Sequence, residues 1–265
     1  MSALSELFDD REKIVEELNA LSIPGVKYEA ETIESCGIFG THIRVLIEGR
    51  EEESRDVHEQ GHHHHHGHDH HHHDHDHHHD HHHHHDHSHD HVHDHSHTGM
   101  TEIGEILDSL DISDQIREKA KEAYRRIAEA ESQVHGKDVS EIHFHEVGDK
   151  DAIADIVGSA YLIEKLGADR IVCSPIMTGY GKVRCAHGIL PVPAPATALL
   201  LRDIPSYAGQ EEGEHTTPTG AALAGTFARE YGQRPLMKIR KIGYGMGIKK
   251  FASANCLRAF LGENE

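Results

Sequence analysis

The chain has 265 residues, enough for one large domain, and its 26 Lys and Arg against 46 Asp and Glu give a formal net charge of −20. This charge argues against nucleic acids and anionic membranes as partners, and no apolar run reaches the roughly 20 residues of a membrane-spanning helix. The chain begins with acidic residues where a signal peptide is basic and then apolar, so we expect a cytoplasmic protein.

The first segment, residues 1–57, predicts one helix followed by two strands. Pro24-Gly25 closes the helix, whose apolar residues recur at helical spacing: Leu7, Ile14, Leu18 and Leu21. The clearer strand is Ile43–Ile47, and residues 36–40 are the predicted turn between the two strands. We interpret this segment as the N-terminal part of the folded domain.

Residues 58–97 hold 26 of the 32 histidines and seven aspartates, with almost no apolar residues. This composition cannot offset the entropy of ordering, so we predict a disordered insertion. Neutral imidazole binds nickel, copper, zinc and cobalt, and at about four ligands per ion the tract could hold about six ions. Below about pH 6, protons compete with metal ions for the imidazole nitrogens, so the affinity of the tract for metal should fall. A metal-free spacer is the alternative. The longest histidine runs are His62, His63, His64, His65, His66 and His81, His82, His83, His84, His85.

Residues 98–265 form the predicted main body, in which helices and strands alternate. This alternation predicts an α/β or α+β fold with helices layered on a mixed sheet, interrupted by the His-rich insertion. A helix is expected from a Ser113 cap to about Val134, with Gly136 after its end. The other predicted elements are a strand at Glu141–Glu146, a helix at Asp151–Leu166, a buried strand at Arg170–Ile176, a loop at Gly179–Pro195, helices at Ala196–Leu201 and Pro218–Tyr231, and strands at Leu236–Ile242 and Asn255–Leu261.

The densest group of metal-binding side chains in this body lies where the predicted strand meets the next helix. His143 and His145 project to one face of the strand, and Asp151 and Asp155 share one face of the helix. With Glu146 nearby, these residues would offer nitrogen and oxygen ligands to a divalent ion. Alternatively, both aspartates only complement the helix N-terminus and the histidine pair is partly exposed.

Arg184 and His187 lie in the predicted loop that leads into three closely spaced prolines. The prolines stiffen this loop, which would present both side chains to a substrate. A rigid connection with a hydrogen-bonded histidine is the alternative.

Residues 216–220, Thr-Thr-Pro-Thr-Gly, begin an apolar helix. Thr217 fits the N-cap and Pro218 the first helical position. The hydroxyls of Thr217 and Thr219, with the backbone of Gly220, would bind a phosphate at the helix N-terminus, and plain capping is the alternative. The glycine-rich residues 243–247 are typical of a turn between strands. A P-loop GTPase is disfavoured because the sequence has no G-x-x-x-x-G-K-[ST] motif.

Four segments together resemble the nickel insertion proteins of nickel-pincer cofactor synthesis, the LarC family. They are HFHEVGDKDAIADIVG (143–158), SPIMTGYGKVRCAHGILPVPAPAT (174–197), TTPTGAAL (216–223) and GYGMGIKKFASANCLRAFLGE (243–263). The internal His-rich insertion also fits this family.

The resemblance implies nickel delivery. Family members insert Ni²⁺ into pyridinium-3,5-bisthiocarboxylic acid mononucleotide with CTP and with Mn²⁺ or Mg²⁺, and the product is the cofactor of lactate racemase and related enzymes. The tract would then collect nickel, and His143 and His145 would accept it with Glu146 or Asp151. The substrate phosphate would lie at residues 217–220 near Arg184, and His187 would accept a proton from the substrate ring.

Family proteins usually begin with a strand and an Asp/Gly-rich turn, and they continue into a C-terminal CTP-binding domain. We expect neither in this chain, so that a separate polypeptide would supply the CTP-binding domain. The oligomeric state stays open, a homo-oligomer included. Two other functions compete: nickel storage by the tract alone, and a zinc or cobalt hydrolase that uses the cluster in the body.

Overall fold

A computed structural model describes residues 1–51, 55–56, 98–144, 150–185 and 187–264, without the side chains of residues 55, 56, 98 and 143. The tract at residues 58–97, predicted to be disordered, lies outside the described residues. His145 and Glu146 lie outside them as well.

The described residues form seven α-helices and a short 3₁₀ helix at Val139–Glu141. The α-helices are α1 (Ser2–Ser5), α2 (Arg11–Ala20), α3 (Met100–Ser109), α4 (Asp114–His135), α5 (Lys150–Leu166), α6 (Pro195–Leu200) and α7 (Pro218–Phe227).

Strands are numerous but mostly short in this part of the chain. They are β1 (Val26–Ser35), β2 (Ile38–Ile47), β3 (Arg50–Glu51), β4 (Arg55–Asp56), β5 (Thr98–Gly99), β6 (His143–Phe144), β7 (Val172–Cys173), β8 (Ile176–Met177), β9 (Gly179–Tyr180), β10 (Lys182–Cys185), β11 (Gly188–Pro191), β12 (Ser206–Tyr207), β13 (Gly213–Glu214), β14 (Glu230–Tyr231), β15 (Lys238–Met246) and β16 (Cys256–Glu263).

The main sheet has five strands in the order β1-β2-β15-β16, with β3 added on β2. The sheet is mixed. Strand β15 runs parallel to β2 through the Gly245–Thr41 pair, whereas the β1–β2, β2–β3 and β15–β16 pairs are antiparallel. Helices α1, α2 and α5 pack on this sheet, and α4 packs on α5, α6 and α7. The predicted class, helices layered on a mixed sheet, is confirmed.

The centre of the helical layer is α4, whose ends are those that the sequence predicts. The Ser113 side chain accepts a hydrogen bond from the Ile116 amide, and Gly136 ends the helix in the left-handed conformation, with φ of 63°. Ile127 is fully buried on the face that meets the other helices. One face of α4 is thus packed against the other helices, and His135 lies at the exposed end of this helix.

Four predicted boundaries are wrong. The first helix is divided into α1 and α2, because Asp10 starts a new helix by accepting from the Lys13 amide. The turn predicted at 36–40 is shorter, with β2 starting at Ile38. The buried strand predicted at 170–176 is two short, half-buried strands. Helix α7 ends at Phe227, since residues 230–231 pair with β7 instead.

The glycine-rich residues 243–247, expected to form a turn, mostly continue β15. Their function is close packing, because a Cβ on Gly243 would overlap the carbonyl oxygen of Ala3 and one on Gly245 would overlap the Ala3 amide nitrogen. Glycine therefore lets α1 lie directly against the strand.

None of the helices within the described ranges combines the length and apolar character that crossing a membrane requires.

Candidate functional site

The predicted metal cluster begins at strand β6, which pairs with β5 through Gly99 and His143. The neighbouring Phe144 is buried, and its ring lies 6.1 Å from that of Tyr124 on α4. This contact fixes the backbone of the strand. The roles predicted for His143, His145 and Glu146 stay predictions, because their side chains lie outside the described part of the chain.

The two aspartates of the cluster lie one turn apart on α5 and are both half-buried. Asp151 Oδ1 accepts a hydrogen bond of 2.6 Å from the Ala152 amide, in the first turn of the helix. Burial raises the pKa of the Asp155 carboxyl, and the positive charges of the Met1 ammonium and, to a smaller extent, of His42 oppose this rise. Asp155 therefore faces the side of α5 that packs on the sheet.

Arg184 and His187 belong to a β-hairpin and not to the irregular loop predicted at 179–195. Strands β10 and β11 pair through Arg184–Ile189 and Cys185–Gly188, and His187 lies in the turn. Both Arg184 and His187 are exposed. The predicted roles of these two side chains stay predictions, but the hairpin gives them a fixed support.

The start of α7 has the capping structure that the sequence predicts. Thr217 Oγ1 accepts a hydrogen bond of 3.2 Å from the Gly220 amide, and Pro218 occupies the first turn. The preceding Thr216 is buried and donates to the Met177 carbonyl at 2.8 Å. Thr219 is half-buried and Gly220 is exposed, so the first turn can be approached from solvent.

Replacing Thr217 with alanine is expected to lower the free energy of unfolding by about 1 kcal/mol, because the Gly220 amide loses its cap. Urea unfolding of metal-free protein measures this loss. Thr217→Ser keeps a hydroxyl and should recover most of it. Equal stability of the alanine variant and the parent would contradict the cap.

The sequence argument missed His215, which lies two residues before the cap. Its ring stacks on Phe251, with ring centres 3.9 Å apart and planes 24° apart. The His215 amide donates to the Thr178 carbonyl at 3.0 Å, next to the β9–β13 pair. Glu211 accepts from the Ser253 amide at 2.6 Å, and the Ser253 hydrogen bonds lower the pKa of its carboxyl.

These contacts bring together three segments that are distant in sequence: residues 178–180, 211–217 and 251–253. Strand β10 also contacts β13, so the hairpin that carries Arg184 lies beside the strand that leads to Thr217. The signal that could have revealed this grouping is a histidine directly before the Thr-Thr-Pro-Thr-Gly segment, together with an aromatic residue after the last glycine-rich segment.

No three His, Cys, Asp or Glu side chains are placed to hold a metal ion within the described ranges, which leave out residues 57–97 and 145–149. The predicted cluster of two histidine nitrogens and two aspartate oxygens depends on the side chains of His143 and His145, which lie outside the described part of the chain. It is therefore still a prediction.

The family model described as nickel insertion protein matches residues 1–265. The chain belongs to this family. A pyridinium-3,5-bisthiocarboxylic acid mononucleotide nickel insertion protein of Clostridium acetobutylicum is 42% identical over 267 residues, which cover 100% of this chain and 61% of that protein. Proteins of the same name from Clostridium kluyveri and Desulfitobacterium hafniense are 45% and 44% identical over 166 and 164 residues.

The chain thus spans about three fifths of the length of the Clostridium acetobutylicum relative, and the other two matches cover 63% and 62% of this chain and 42% and 41% of those proteins. No solved structure matches the chain significantly. The resemblance to the nickel insertion family described from the sequence is confirmed.

Proposed function

We propose that this chain binds Ni²⁺ and delivers it to pyridinium-3,5-bisthiocarboxylic acid mononucleotide, forming the nickel-pincer cofactor. One structural observation carries the proposal: both ends of the histidine tract are joined to strands that carry predicted site residues. Before the tract, β4 pairs with β10 through Arg55 and Arg184. After it, β5 pairs with β6 through Gly99 and His143. The two flanking strands therefore pair with strands that carry Arg184 and His143.

Capture is the first step of the proposal. The tract offers 26 imidazoles, and about four ligands per ion would allow about six ions to bind. Neutral imidazole suits nickel, and its nitrogens exchange metal easily when neighbouring ligands compete.

Acceptance in the body is assigned to His143 and His145, with Glu146, Asp151 or Asp155 as oxygen donors. The support is positional: the backbone of His143 pairs directly with Gly99, which lies two residues after the end of the tract. The half-buried Asp155 has a pKa raised by burial, and a bound cation would reverse that effect.

The substrate phosphate is assigned to the first turn of α7, at Thr217, Thr219 and Gly220. This helix has ten residues, and its N-terminal amides and dipole favour an anion. The exposed Arg184 guanidinium, on the strand beside β13, would add a positive charge. The stacked rings of His215 and Phe251 border the same helix start and offer a flat surface for the pyridinium ring.

Transfer has a direction because soft sulfur holds nickel more strongly than imidazole does. Two thiocarboxylate sulfurs and one ring carbon would replace the protein ligands, and the ring carbon would lose its proton to His187. Dependence on CTP with Mn²⁺ or Mg²⁺ is part of the proposal, as is a separate CTP-binding chain as a partner. A cytoplasmic location also belongs to it.

Nickel storage is a second candidate, and one observation favours it. A capacity of about six ions per chain exceeds the single ion that one insertion event consumes. Storage would need only the tract, with the body as a scaffold.

The deciding experiment mixes the full chain with the mononucleotide, Ni²⁺, CTP and Mn²⁺, and follows the nickel adduct by mass spectrometry and activation of apo-lactate racemase. We expect the adduct to form, and replacing both His143 and His145 with alanine to lower its initial rate at least tenfold. Thermal unfolding of the variant, which should match the parent, is the control.

Undiminished insertion by that variant would remove His143 and His145 from the mechanism. If adduct appears only after a CTP-binding domain is added, the activity is divided between two chains. If the adduct forms in neither mixture although nickel binds, storage replaces insertion as the function.

A further inference from the structure

Two histidines outside both the tract and the predicted cluster face each other on the surface. The ring centres of His135 and His187 lie 4.9 Å apart, and the ring planes make an angle of 36°. Both residues are exposed, and 52 residues separate them in the sequence. Their approach is a product of the fold and has no local sequence signal.

Each ring is carried by an independently stabilised element. His135 ends α4, which is anchored by buried residues such as Ile127 and closed by Gly136. His187 lies in the turn of the β10–β11 hairpin, held by the Cys185–Gly188 pair. The separation of the rings is therefore set by packed structure on both sides.

The separation suits one metal ion bound by both rings. With metal–nitrogen bonds of about 2.1 Å and bond angles of about 90–110°, two imidazole ligands of one ion have centres about 4.5–5.2 Å apart. The observed 4.9 Å lies within this range. Rotation about the terminal side-chain torsions would aim the nitrogens without moving the backbone.

A carboxylate lies beside one ring nitrogen of His135, as is usual for a histidine that binds metal through its other ring nitrogen. Glu131, one turn before His135 on α4, places Oε2 3.3 Å from His135 Nε2. Such a carboxylate favours the tautomer with the proton on Nε2, which leaves Nδ1 to bind the ion.

We propose that His135 and His187 form a two-imidazole site for a divalent transition metal ion, oriented by Glu131, that holds nickel at the surface of the body. Two protein ligands leave several coordination positions open, so binding is weak and another ligand can enter before the ion leaves.

The hairpin that carries His187 pairs, through Arg184, with Arg55 on β4, which precedes the tract in the sequence. While nickel occupies the His187 nitrogen, that nitrogen cannot take a proton. Onward transfer would restore His187 as a base.

The proposed function supplies only one part of this proposal, the identity of the bound metal as nickel. Metal binding by the pair can be tested without the mononucleotide, so failure of the insertion assay and failure of this site give different results.

The test is histidine carbethoxylation by diethyl pyrocarbonate on the full chain, with and without Ni²⁺ above the capacity of the tract, read by tryptic peptide mass spectrometry. Cleavage isolates His135 in residues 127–137 and His187 in residues 185–202, each as the sole histidine of its peptide. His215, alone in residues 203–229, is the internal reference. We expect Ni²⁺ to slow modification of His135 and His187 at least fivefold relative to His215.

The decisive comparison uses His135→Ala and His187→Ala, each of which should abolish nickel protection of the remaining partner. Protection of His187 that persists in His135→Ala would overturn the shared site, and so would equal modification of both residues with and without Ni²⁺ in the parent. The second result requires only the parent protein. The proposal can therefore be overturned even if a variant fails to fold.

Discussion

Replacing residues 58–97 with a Gly/Ser linker of equal length is expected to lower the number of bound Ni²⁺ ions from about six to two or fewer. The 26 imidazoles of the tract disappear, whereas the predicted cluster and the His135–His187 pair stay in the chain. Equilibrium dialysis with metal quantification by mass spectrometry measures the change. The equal length keeps the spacing between β4 and β5, which are both paired with strands of the body.

The same replacement should leave the fold intact. Every buried core residue among those the structure describes lies before residue 51 or after residue 98, and the tract has almost no apolar side chains to contribute to a core. Thermal unfolding of metal-free protein should be unchanged within about 2 °C, since surface changes away from packed features usually cost less than about 0.5 kcal/mol.

Insertion activity then separates delivery from storage. For a delivery protein, the linker variant should insert nickel at saturating Ni²⁺ and lose activity only when Ni²⁺ is scarce, because the tract serves to concentrate the ion. For a storage protein, the parent itself would show no insertion. Loss of insertion at saturating Ni²⁺ would show instead that tract histidines take part in the reaction.

The parts of the fold that the sequence predicts are those with local physical causes. Helix α4 is predicted at both ends, because Ser113 caps the first turn and only a left-handed residue such as Gly136 follows the last one. Helix α5 likewise ends where Gly167 adopts a φ of 61°. Capping and termination depend on a few neighbouring residues, so the sequence contains the necessary information.

The hairpin that carries Arg184 and His187 was not predictable in this way. Closely spaced prolines indicate a loop, yet Pro191 ends β11 in a strand. Since β11 is an edge strand in the order β11-β10-β4, one missing amide donor leaves the sheet undisturbed. Edge position depends on tertiary structure and is not encoded locally.

The same limit applies to the candidate site. The cap at Thr217 follows from five consecutive residues, whereas the stacking of His215 on Phe251 and the approach of His135 to His187 join segments more than 35 residues apart. Sequence patterns identify residue types with suitable chemistry. Which of them meet is decided by tertiary packing, such as that of α4 on α7 and of β10 beside β13.

Gly179 is the most sensitive single position in this arrangement. Its φ of 80° is in the region that side-chain-bearing residues avoid, and it pairs with Glu214 across the β9–β13 contact. A Cβ at this position would overlap the Gly213 carbonyl oxygen and come within 2.8 Å of His215 Cδ2. Adding one methyl group would therefore force β13 away from β9, and with it the chain that leads to Thr217.

Gly179→Ala is expected to lower the free energy of unfolding by about 3–4 kcal/mol, combining left-handed strain of about 1–2 kcal/mol with a further cost of overpacking. The matched control is Gly188→Ala, where φ is also positive, at 102°, but nothing lies within 4 Å of the added Cβ. That variant should lose only the strain, about 1–2 kcal/mol. Urea unfolding of both variants measures the difference, which isolates the overlap with Gly213. Equal losses in the two variants would mean that β9 and β13 can separate freely, and that the position of His215 does not depend on their close pairing.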